Sequence, residues 1–202
     1  MGEIIKAIVW DIGGVLSRFE DQSWHQKWES YLDLSPGQLE EVIFDNQQSA
    51  IATVGQTTPA EVWESVGKRF GLSAEQLATL QVEFWKGSEW DADLFDYIRS
   101  SLKGRYKLGV LSDAWLGSRD RVKEWINYDV FDVIMFSAEE GIRKPNPRMY
   151  QRMLSRLGVE ASEAIFIDDH KDNVEGARAV GMYGIHFTRE VDIREAIKEI
   201  AG

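Results

Sequence analysis

Residues 4–16 read IIKAIVWDIGGVL, and this stretch decides the fold class of the chain. Its run of apolar, largely β-branched residues predicts a buried strand that ends at the carboxylate of Asp11. Gly13 and Gly14 follow, and glycine lets the backbone turn sharply and approach another group closely. Open α/β sheets bind their ligands at the carboxyl ends of parallel strands, so Asp11 is a candidate functional residue. The alternative is an acid that only caps the turn.

Composition limits the possible partners. A chain of 202 residues can form one large domain, or a core with a smaller insertion. The formal net charge of −11 argues against nucleic-acid and anionic-membrane partners, which both need clustered Lys and Arg. No apolar run approaches the roughly 20 residues that span a bilayer, and the N-terminus does not resemble a signal peptide. We therefore expect a cytoplasmic protein, either monomer or homodimer. The absence of cysteine excludes disulfides and thiol chemistry.

Residues 18–89 carry helical periodicity. Thr58-Pro59-Ala60-Glu61 and Ser73-Ala74-Glu75-Gln76 are each typical of a capping box at the start of a helix. Ser35-Pro36 predicts another helix start, and residues 21–31 carry aromatic side chains at helical spacing. We predict no strand between Arg18 and Ser88.

From residue 90 onwards, strands and helices alternate. Apolar runs predict strands at 106–111, 133–136, 164–167 and 183–187, with helices at 92–102, 118–126, 147–157, 173–180 and 192–200. Such alternation is typical of an α/β fold, a parallel sheet with helices on both faces. We therefore predict a core formed by residues 1–17 and 90–202, interrupted by a helical insertion at 18–89.

Two further strand ends carry polar groups. One delivers the hydroxyl of Ser112, and the other delivers the adjacent carboxylates of Asp168 and Asp169. Adjacent acids at the end of a buried strand repel each other unless a cation or hydrogen-bond donors compensate. Mg²⁺ would do so, because it typically binds one or two carboxylates together with water and substrate phosphate. The alternative is that the pair caps the next helix.

Lys144 adds a basic group. It lies in the stretch IRKPNP, residues 142–147, whose two prolines restrict the loop. A loop lysine is more often solvated than functional, but this one accompanies acidic and hydroxyl groups. A carboxylate, a hydroxyl, a lysine and a metal-binding acid pair suit phosphoryl transfer with Asp11 as nucleophile.

In this order, Asp11-Ile12-Gly13-Gly14-Val15, Ser112, Lys144 and Asp168-Asp169 resemble the four motifs of the haloacid dehalogenase (HAD) superfamily. Residues 142–150 and 166–169 resemble the branch of α-glucose-1-phosphate phosphatases and epoxide hydrolase N-terminal phosphatase domains. The resemblance implies a Rossmann-like core with an inserted helical cap domain. It also implies an Mg²⁺-dependent phosphatase of small phosphorylated metabolites, such as sugar phosphates.

The resemblance assigns roles to individual residues. It implies an aspartyl-phosphate intermediate on Asp11, and phosphoryl binding by Ser112 and Lys144. Asp11, Asp169 with help from Asp168, and the main-chain carbonyl of Gly13 would hold Mg²⁺. Asn173 matches a position that supports the acid pair.

Two positions depart from the family pattern. Most HAD phosphatases carry a second Asp, the proton donor to the leaving group, where this chain has Gly13. General acid–base catalysis is typically worth about 10²–10⁴ in rate, so its loss matters. Asp113 replaces a common Asn in the substrate site. Since a carboxylate would repel phosphate, we expect Asp113 to point away or pair with a cation such as Arg119.

The insertion is rich in aromatic residues, and most of them should pack its core. Trp24 and Trp28 could instead face the substrate, and His25 could replace the missing acid. Two other functions stay open. A metal-independent 2-haloacid dehalogenase also lacks the second Asp but needs no acid pair. A catalytically weak relative would only bind a phosphorylated ligand or a protein.

Overall fold

The structure, a computed structural model, describes residues 4–123 and 125–202. Its strands are β1 (Ala7–Trp10), β2 (Ser17–Phe19), β3 (Ser88–Trp90), β4 (Lys107–Ser112), β5 (Val133–Phe136), β6 (Ala164–Asp168) and β7 (Tyr183–His186). A five-stranded sheet has the order β5-β4-β1-β6-β7, and all its neighbours pair in parallel. Because β1 lies between β4 and β6, the three strands with polar ends are adjacent.

Helices cover both faces of this sheet. Those of the core are α6 (Ala92–Tyr97), α7 (Ser118–Lys123), α8 (Ser137–Glu140), α9 (Pro147–Leu157), α10 (Lys171–Ala179) and α11 (Ile193–Ala201), numbered after the five helices of the insertion. Alternate residues of β1 enter different cores: Ile8 and Trp10 pack on one face, and Ala7 and Val9 on the other. The predicted α/β architecture is confirmed.

The insertion contains α1 (Ser23–Tyr31), α2 (Gln38–Phe44), α3 (Gln47–Ala52), α4 (Pro59–Phe70) and α5 (Ala74–Phe84). Both predicted capping boxes are confirmed, at Thr58 with Glu61 and at Ser73 with Gln76. Helix α2 begins later than Ser35-Pro36 predicts, because Gly37 adopts a left-handed conformation with φ 86° just before it. Helix α3 was not predicted.

A short antiparallel ribbon joins the insertion to the core. It pairs β2 with β3, matching Ser17 to Trp90 and Phe19 to Ser88. The expectation of no strand between Arg18 and Ser88 is therefore wrong at both ends. Strands of three residues are too short to show a period in the sequence, and their partner lies far along the chain. The exact boundaries 18–89 stay a prediction.

One core residue enters the hydrophobic cluster of the insertion. Trp115 follows β4, and it packs with Trp63 and Phe44 of the insertion. Its indole N–H donates to Ser49 Oγ at 3.1 Å. The backbones also meet at Gly55, where an added Cβ would lie 2.3 Å from the carbonyl oxygen of Ala138.

Within the described ranges, we find no helix with the length and apolar character needed to cross a membrane.

Candidate active site

Three neighbouring strands bring the predicted polar residues to one edge of the sheet. Asp11 follows β1, while Ser112 and Asp168 are the last residues of β4 and β6. Trp10 pairs with Val110 on one side and Ile167 on the other, so the three strand ends are in register. All three polar residues are buried, although they carry charges or a hydroxyl. Such groups are retained in a protein interior only where partners compensate them.

Lys144 supplies that compensation. The residue is 2% exposed, and its Nζ lies 2.9 Å from Asp11 Oδ1 and 2.6 Å from Asp168 Oδ2. Nζ also donates to the carbonyl oxygen of Leu111 at 3.1 Å, which ties it to the end of β4. The ammonium of Lys144 therefore joins the ends of all three strands. Its charge and rigidity suit it to hold a phosphoryl oxygen.

Burial and neighbouring charges have opposite effects on the pKa values of Asp11 and Lys144. Burial raises the pKa of Asp11 to about 8, although the Lys144 ammonium pulls that pKa downward. For Lys144, burial alone would lower the pKa, but the carboxylates of Asp11 and Asp168 outweigh it and hold that pKa above the ordinary value. An additional cation here would favour the ionised form of Asp11.

The two acids after β6 have different surroundings. Asp168 accepts hydrogen bonds from Lys144 Nζ, from the His170 backbone N–H at 2.8 Å, and from Asn173 Nδ2 at 3.1 Å to each oxygen. In contrast, Asp169 Oδ1 is buried and has no hydrogen-bond partner among the described residues. Asp168 is thus held by donors, whereas Asp169 keeps an oxygen available for a ligand.

A divalent cation fits this arrangement. One carboxylate oxygen from each of Asp11, Asp168 and Asp169 lies within 4.8 Å of the others. Asp11 Oδ1 makes the ion-pair contact with Lys144 but no well-aligned hydrogen bond within the described chain. Carboxylate oxygens are the ligands that Mg²⁺ prefers. The donor set and the partnerless Asp169 oxygen therefore match an Mg²⁺ site.

Gly14 allows the turn after β1 to approach the acid pair. Its φ is 71°, and a Cβ at this position would lie 2.0 Å from Asp169 Oδ2. Any side chain at position 14 would displace the carboxylate and would also strain the backbone. Gly13 differs, because it is exposed and an added Cβ would meet no atom within 4 Å. The position that commonly holds a second Asp opens into free space.

Asp113 has a different partner from the expected one. Its Oδ1 accepts the backbone N–H of Lys144 at 3.1 Å, and burial raises its pKa despite the nearby Lys144 charge. Arg119 instead pairs with Glu139 at 2.6 Å. The suggested Arg119 pairing is therefore absent, and Asp113 positions the loop that carries Lys144.

The cap residues singled out from sequence have mainly internal contacts. Trp28 is buried in the cap core, and its indole N–H donates to Glu83 at 2.8 Å rather than facing a substrate. His25 is also buried, with Nε2 2.9 Å from the carbonyl oxygen of Phe84, so a proton-donor role has no support. Trp24 is half-buried beneath Lys86 Nζ, 4.0 Å from its ring centre, and its substrate contact stays a prediction.

This geometry can be compared with known proteins. The family model described as haloacid dehalogenase-like hydrolase matches residues 5–181. The chain belongs to this family. It is 28% identical to the sesquiterpene phosphatase astK of Aspergillus oryzae, over 98% of this chain and 97% of that relative. It is 27% identical to a phosphatase of Mycobacterium tuberculosis, over 96% of this chain and 92% of the relative.

A solved structure supports the fold of this hydrolase. A HAD family enzyme from Bacteroides thetaiotaomicron, in complex with magnesium and inorganic phosphate, superposes with a TM-score of 0.77 at 19% identity. The match covers 95% of this chain and 98% of the other. The HAD-like core with a cap is therefore shown, while the predicted branch within the family stays a prediction.

Several residues around the site received no functional role from the sequence. Tyr150 donates to the carbonyl oxygen of Asn173 at 2.8 Å, and His186 Nε2 lies 2.9 Å from that of Asp169, so both support the acid-pair loop. Trp115, Trp85 and Arg121 lie where core and cap meet.

Proposed function

We propose that this HAD-like hydrolase is an Mg²⁺-dependent phosphatase of small phosphorylated metabolites, a phosphoric monoester hydrolase that acts through an aspartyl-phosphate. One observation carries the proposal. Lys144 is buried between the carboxylates of Asp11 and Asp168, while Asp169 beside them keeps a buried oxygen without a partner. This edge can attract both a phosphoryl group and a cation. The phosphatase names of the two relatives agree with this chemistry.

Asp11 is the proposed nucleophile. Its carboxylate oxygen attacks phosphorus, the bond from phosphorus to the leaving oxygen breaks, and an acyl phosphate forms on Asp11. Water then attacks the phosphorus of this intermediate, which releases inorganic phosphate and returns the carboxylate. Lys144 and the Ser112 hydroxyl hold phosphoryl oxygens during both displacements, and their buried position strengthens these contacts.

The metal site would comprise Asp11, Asp169, the main-chain carbonyl of Gly13 and, in a supporting role, Asp168. When bound, Mg²⁺ would supply positive charge that offsets the charge of the phosphoryl oxygens. The hydrogen bonds to Asp168 from His170, Asn173 and Lys144 orient the acid pair for this task.

The leaving group must gain a proton from a source other than residue 13. Gly13 has no side chain to donate one, and its exposure leaves water as the available donor. Sugar phosphates remain within the proposed class of small metabolites. The sesquiterpene relative acts on a chemically different leaving group by its name, so the relatives together do not define one substrate.

Gly13 also favours a second candidate, a metal-independent 2-haloacid dehalogenase. That reaction would use Asp11 against carbon and would need no acid pair. The buried Asp169 oxygen without a partner argues against it, because such a group is costly unless a cation or donor compensates. Halide release from a 2-haloacid in the presence of EDTA would reverse this ranking.

The phosphatase proposal is tested with p-nitrophenyl phosphate. We expect hydrolysis with Mg²⁺, its loss with EDTA, and recovery when Mg²⁺ is restored. Asp11→Asn should lower kcat/KM by at least about a thousandfold, since an amide is a poor nucleophile. Asp172→Asn is a matched control, because Asp172 is an exposed acid on α10. Hydrolysis that persists in Asp11→Asn or in EDTA would contradict the proposal.

A further inference from the structure

Half-buried aromatic rings from the cap form a continuous surface. Phe19, Phe44 and Trp85 make up this aromatic wall, and each keeps part of its side chain accessible. The ring centres of Phe19 and Phe44 each lie 6.1 Å from that of Trp85. Behind Phe44, the buried ring of Trp115 lies 5.6 Å away. Trp115 therefore supports the wall from within the cluster, and part of each wall residue stays accessible to solvent.

The wall is joined along the chain to two of the strands that carry the candidate catalytic residues. Phe19 ends β2, directly after the turn that begins at Asp11, and Trp115 belongs to the loop that begins at Ser112. That loop continues into α7, whose Arg121 places its guanidinium carbon 3.8 Å from the Trp85 ring centre. Both loops that leave the nucleophile and hydroxyl strands thus contact the wall.

Gly13 leaves open space next to the nucleophile. A Cβ at this position would meet no atom within 4 Å, and the residue is exposed. In a phosphatase using Asp11, the leaving oxygen lies opposite the attacking carboxylate oxygen, roughly in line with it. A side chain at position 13 would fill space next to Asp11, and here that space is free.

We infer that the aromatic wall borders the entrance to Asp11 and binds a hydrophobic leaving group, the hydrocarbon or aromatic portion of a phosphate monoester. This deepens the proposed phosphatase function and rests on it. Phe19 and Phe44 present no hydrogen-bonding atoms, so hydroxyl groups held against them would lose water without a replacement. Apolar surface gains from the same contact, and the flat rings fit either chains or planar groups.

Binding of inert phosphonates in the presence of Mg²⁺ tests the inference without turnover. We would measure dissociation constants by calorimetry for methyl-, butyl-, hexyl- and 1-naphthylphosphonate, and for 2,3-dihydroxypropylphosphonate. Affinity should rise roughly three- to fourfold per methylene that contacts the wall, with hexyl at least about tenfold tighter than methyl. The hexyl and naphthyl compounds separate a preference for flexible chains from one for planar rings. Equal affinities, or tightest binding of the dihydroxypropyl compound, would overturn the inference.

Variants locate the effect on the wall. Trp85→Ala should reduce the hexyl-to-methyl affinity ratio about fivefold or more, and Trp85→Phe should preserve most of it. Trp125→Ala is the matched control, because Trp125 is an exposed tryptophan of the core. The methyl compound should bind all variants equally, which also reports an intact phosphonate site. A ratio unchanged in Trp85→Ala would overturn the inference, and the wild-type series remains decisive if that variant does not fold.

Hydrolysis of hexyl phosphate and glycerol phosphate separates the two proposals. Faster Mg²⁺-dependent hydrolysis of hexyl phosphate supports both. Tighter hexyl binding without hydrolysis of any ester supports the wall and contradicts the phosphatase. Faster hydrolysis of glycerol phosphate supports the phosphatase and contradicts the wall.

Discussion

The core and the cap present opposite kinds of surface. On the core side, Lys144, Asp11 and Asp168 are ionisable, buried and held by one another. On the cap side, Phe19 and Trp85 are uncharged, half-buried rings. Charged groups in a low-dielectric site act strongly but must be fully compensated, whereas apolar rings tolerate partial exposure. The reaction therefore depends on a rigid network, and selectivity can vary with little cost to the fold.

The largest effect is expected when the Lys144 ammonium, which lies between the two carboxylates, is removed. Lys144→Met leaves Asp11 and Asp168 facing each other without the ammonium between them. Breaking a buried ion pair typically costs about 3–5 kcal/mol, so the free energy of unfolding should fall by that order. Phosphatase activity should fall by about a thousandfold or more, since a phosphoryl-binding charge is lost. Urea unfolding in metal-free buffer and p-nitrophenyl phosphate hydrolysis measure the two effects.

Two further variants control this result. Lys171→Met removes an exposed lysine of α10 and should change neither quantity appreciably. Adding Asp11→Asn to Lys144→Met should restore part of the lost stability, because it removes one of the uncompensated carboxylates. If Lys144→Met is as stable as the wild type, the ion pairs of Lys144 with Asp11 and Asp168 do not contribute to the free energy of unfolding.

A pair of alanine variants tests how closely the core side is packed. Gly14→Ala places a Cβ 2.0 Å from Asp169 Oδ2 at a φ of 71°, so it should lower the free energy of unfolding by about 1–3 kcal/mol. It should also weaken Mg²⁺ binding, because the Asp169 carboxylate must move. Gly13→Ala enters open space and should stay within about 0.5 kcal/mol of the wild type. Urea unfolding and calorimetric Mg²⁺ titration provide the measurements, and equal effects at both positions would refute the packing argument.

Introducing an acid at position 13 tests whether the leaving group lacks a proton donor in this protein. Gly13→Asp should raise kcat for an alkyl phosphate about tenfold, because a poor leaving group needs a proton. It should change p-nitrophenyl phosphate hydrolysis less than about threefold, since that leaving group departs without one. Gly13→Asn is the control of equal size, and it should give no such difference. Equal gains on both esters would exclude proton donation as the cause.

The smallest expected effect concerns the one histidine of the cap. Burial alone would lower the pKa of His25, but hydrogen bonds to Glu40 and Phe84 raise it above the ordinary value. The resulting stabilisation is present below about pH 6.5 and is lost as pH rises through the folded-state pKa. NMR titration should show a lower His25 pKa in Glu40→Gln, while the control Glu41→Gln leaves it unchanged. A wild-type pKa below the ordinary value would contradict this assignment.

The sequence predicted the core far better than the cap surface. Residues such as Asp11 and Ser112 end apolar strands, and the parallel order of the sheet then brings them together whatever lies between. The capping boxes at Thr58 and Ser73 were equally readable, because a cap is a local interaction. Local pattern and register were sufficient for these features.

The cap surface depends on contacts that no local pattern records. Trp28 and Trp85 are the same residue type on neighbouring helical segments, yet one is buried against Glu83 and the other stays half-open beneath Arg121. The β2–β3 ribbon and the contact of Trp115 with Ser49 each join residues far apart in the chain. Asp113 likewise accepts a hydrogen bond from the Lys144 backbone and does not pair with Arg119. Both donors were chemically reasonable, and the path of the loop determines which one lies within reach.

Because Trp115 completes the hydrophobic cluster of the cap, the cap depends on a residue outside its own contiguous segment. A cap moved between relatives as one contiguous segment would bring Trp63, Phe44 and Ser49 with it, but it would lack Trp115, which packs against them. Successful exchange, in a laboratory chimera or by recombination, should carry the loop after Ser112 along with it. A new leaving-group preference would then be acquired together with part of the loop that positions the hydroxyl, and not as a separate module.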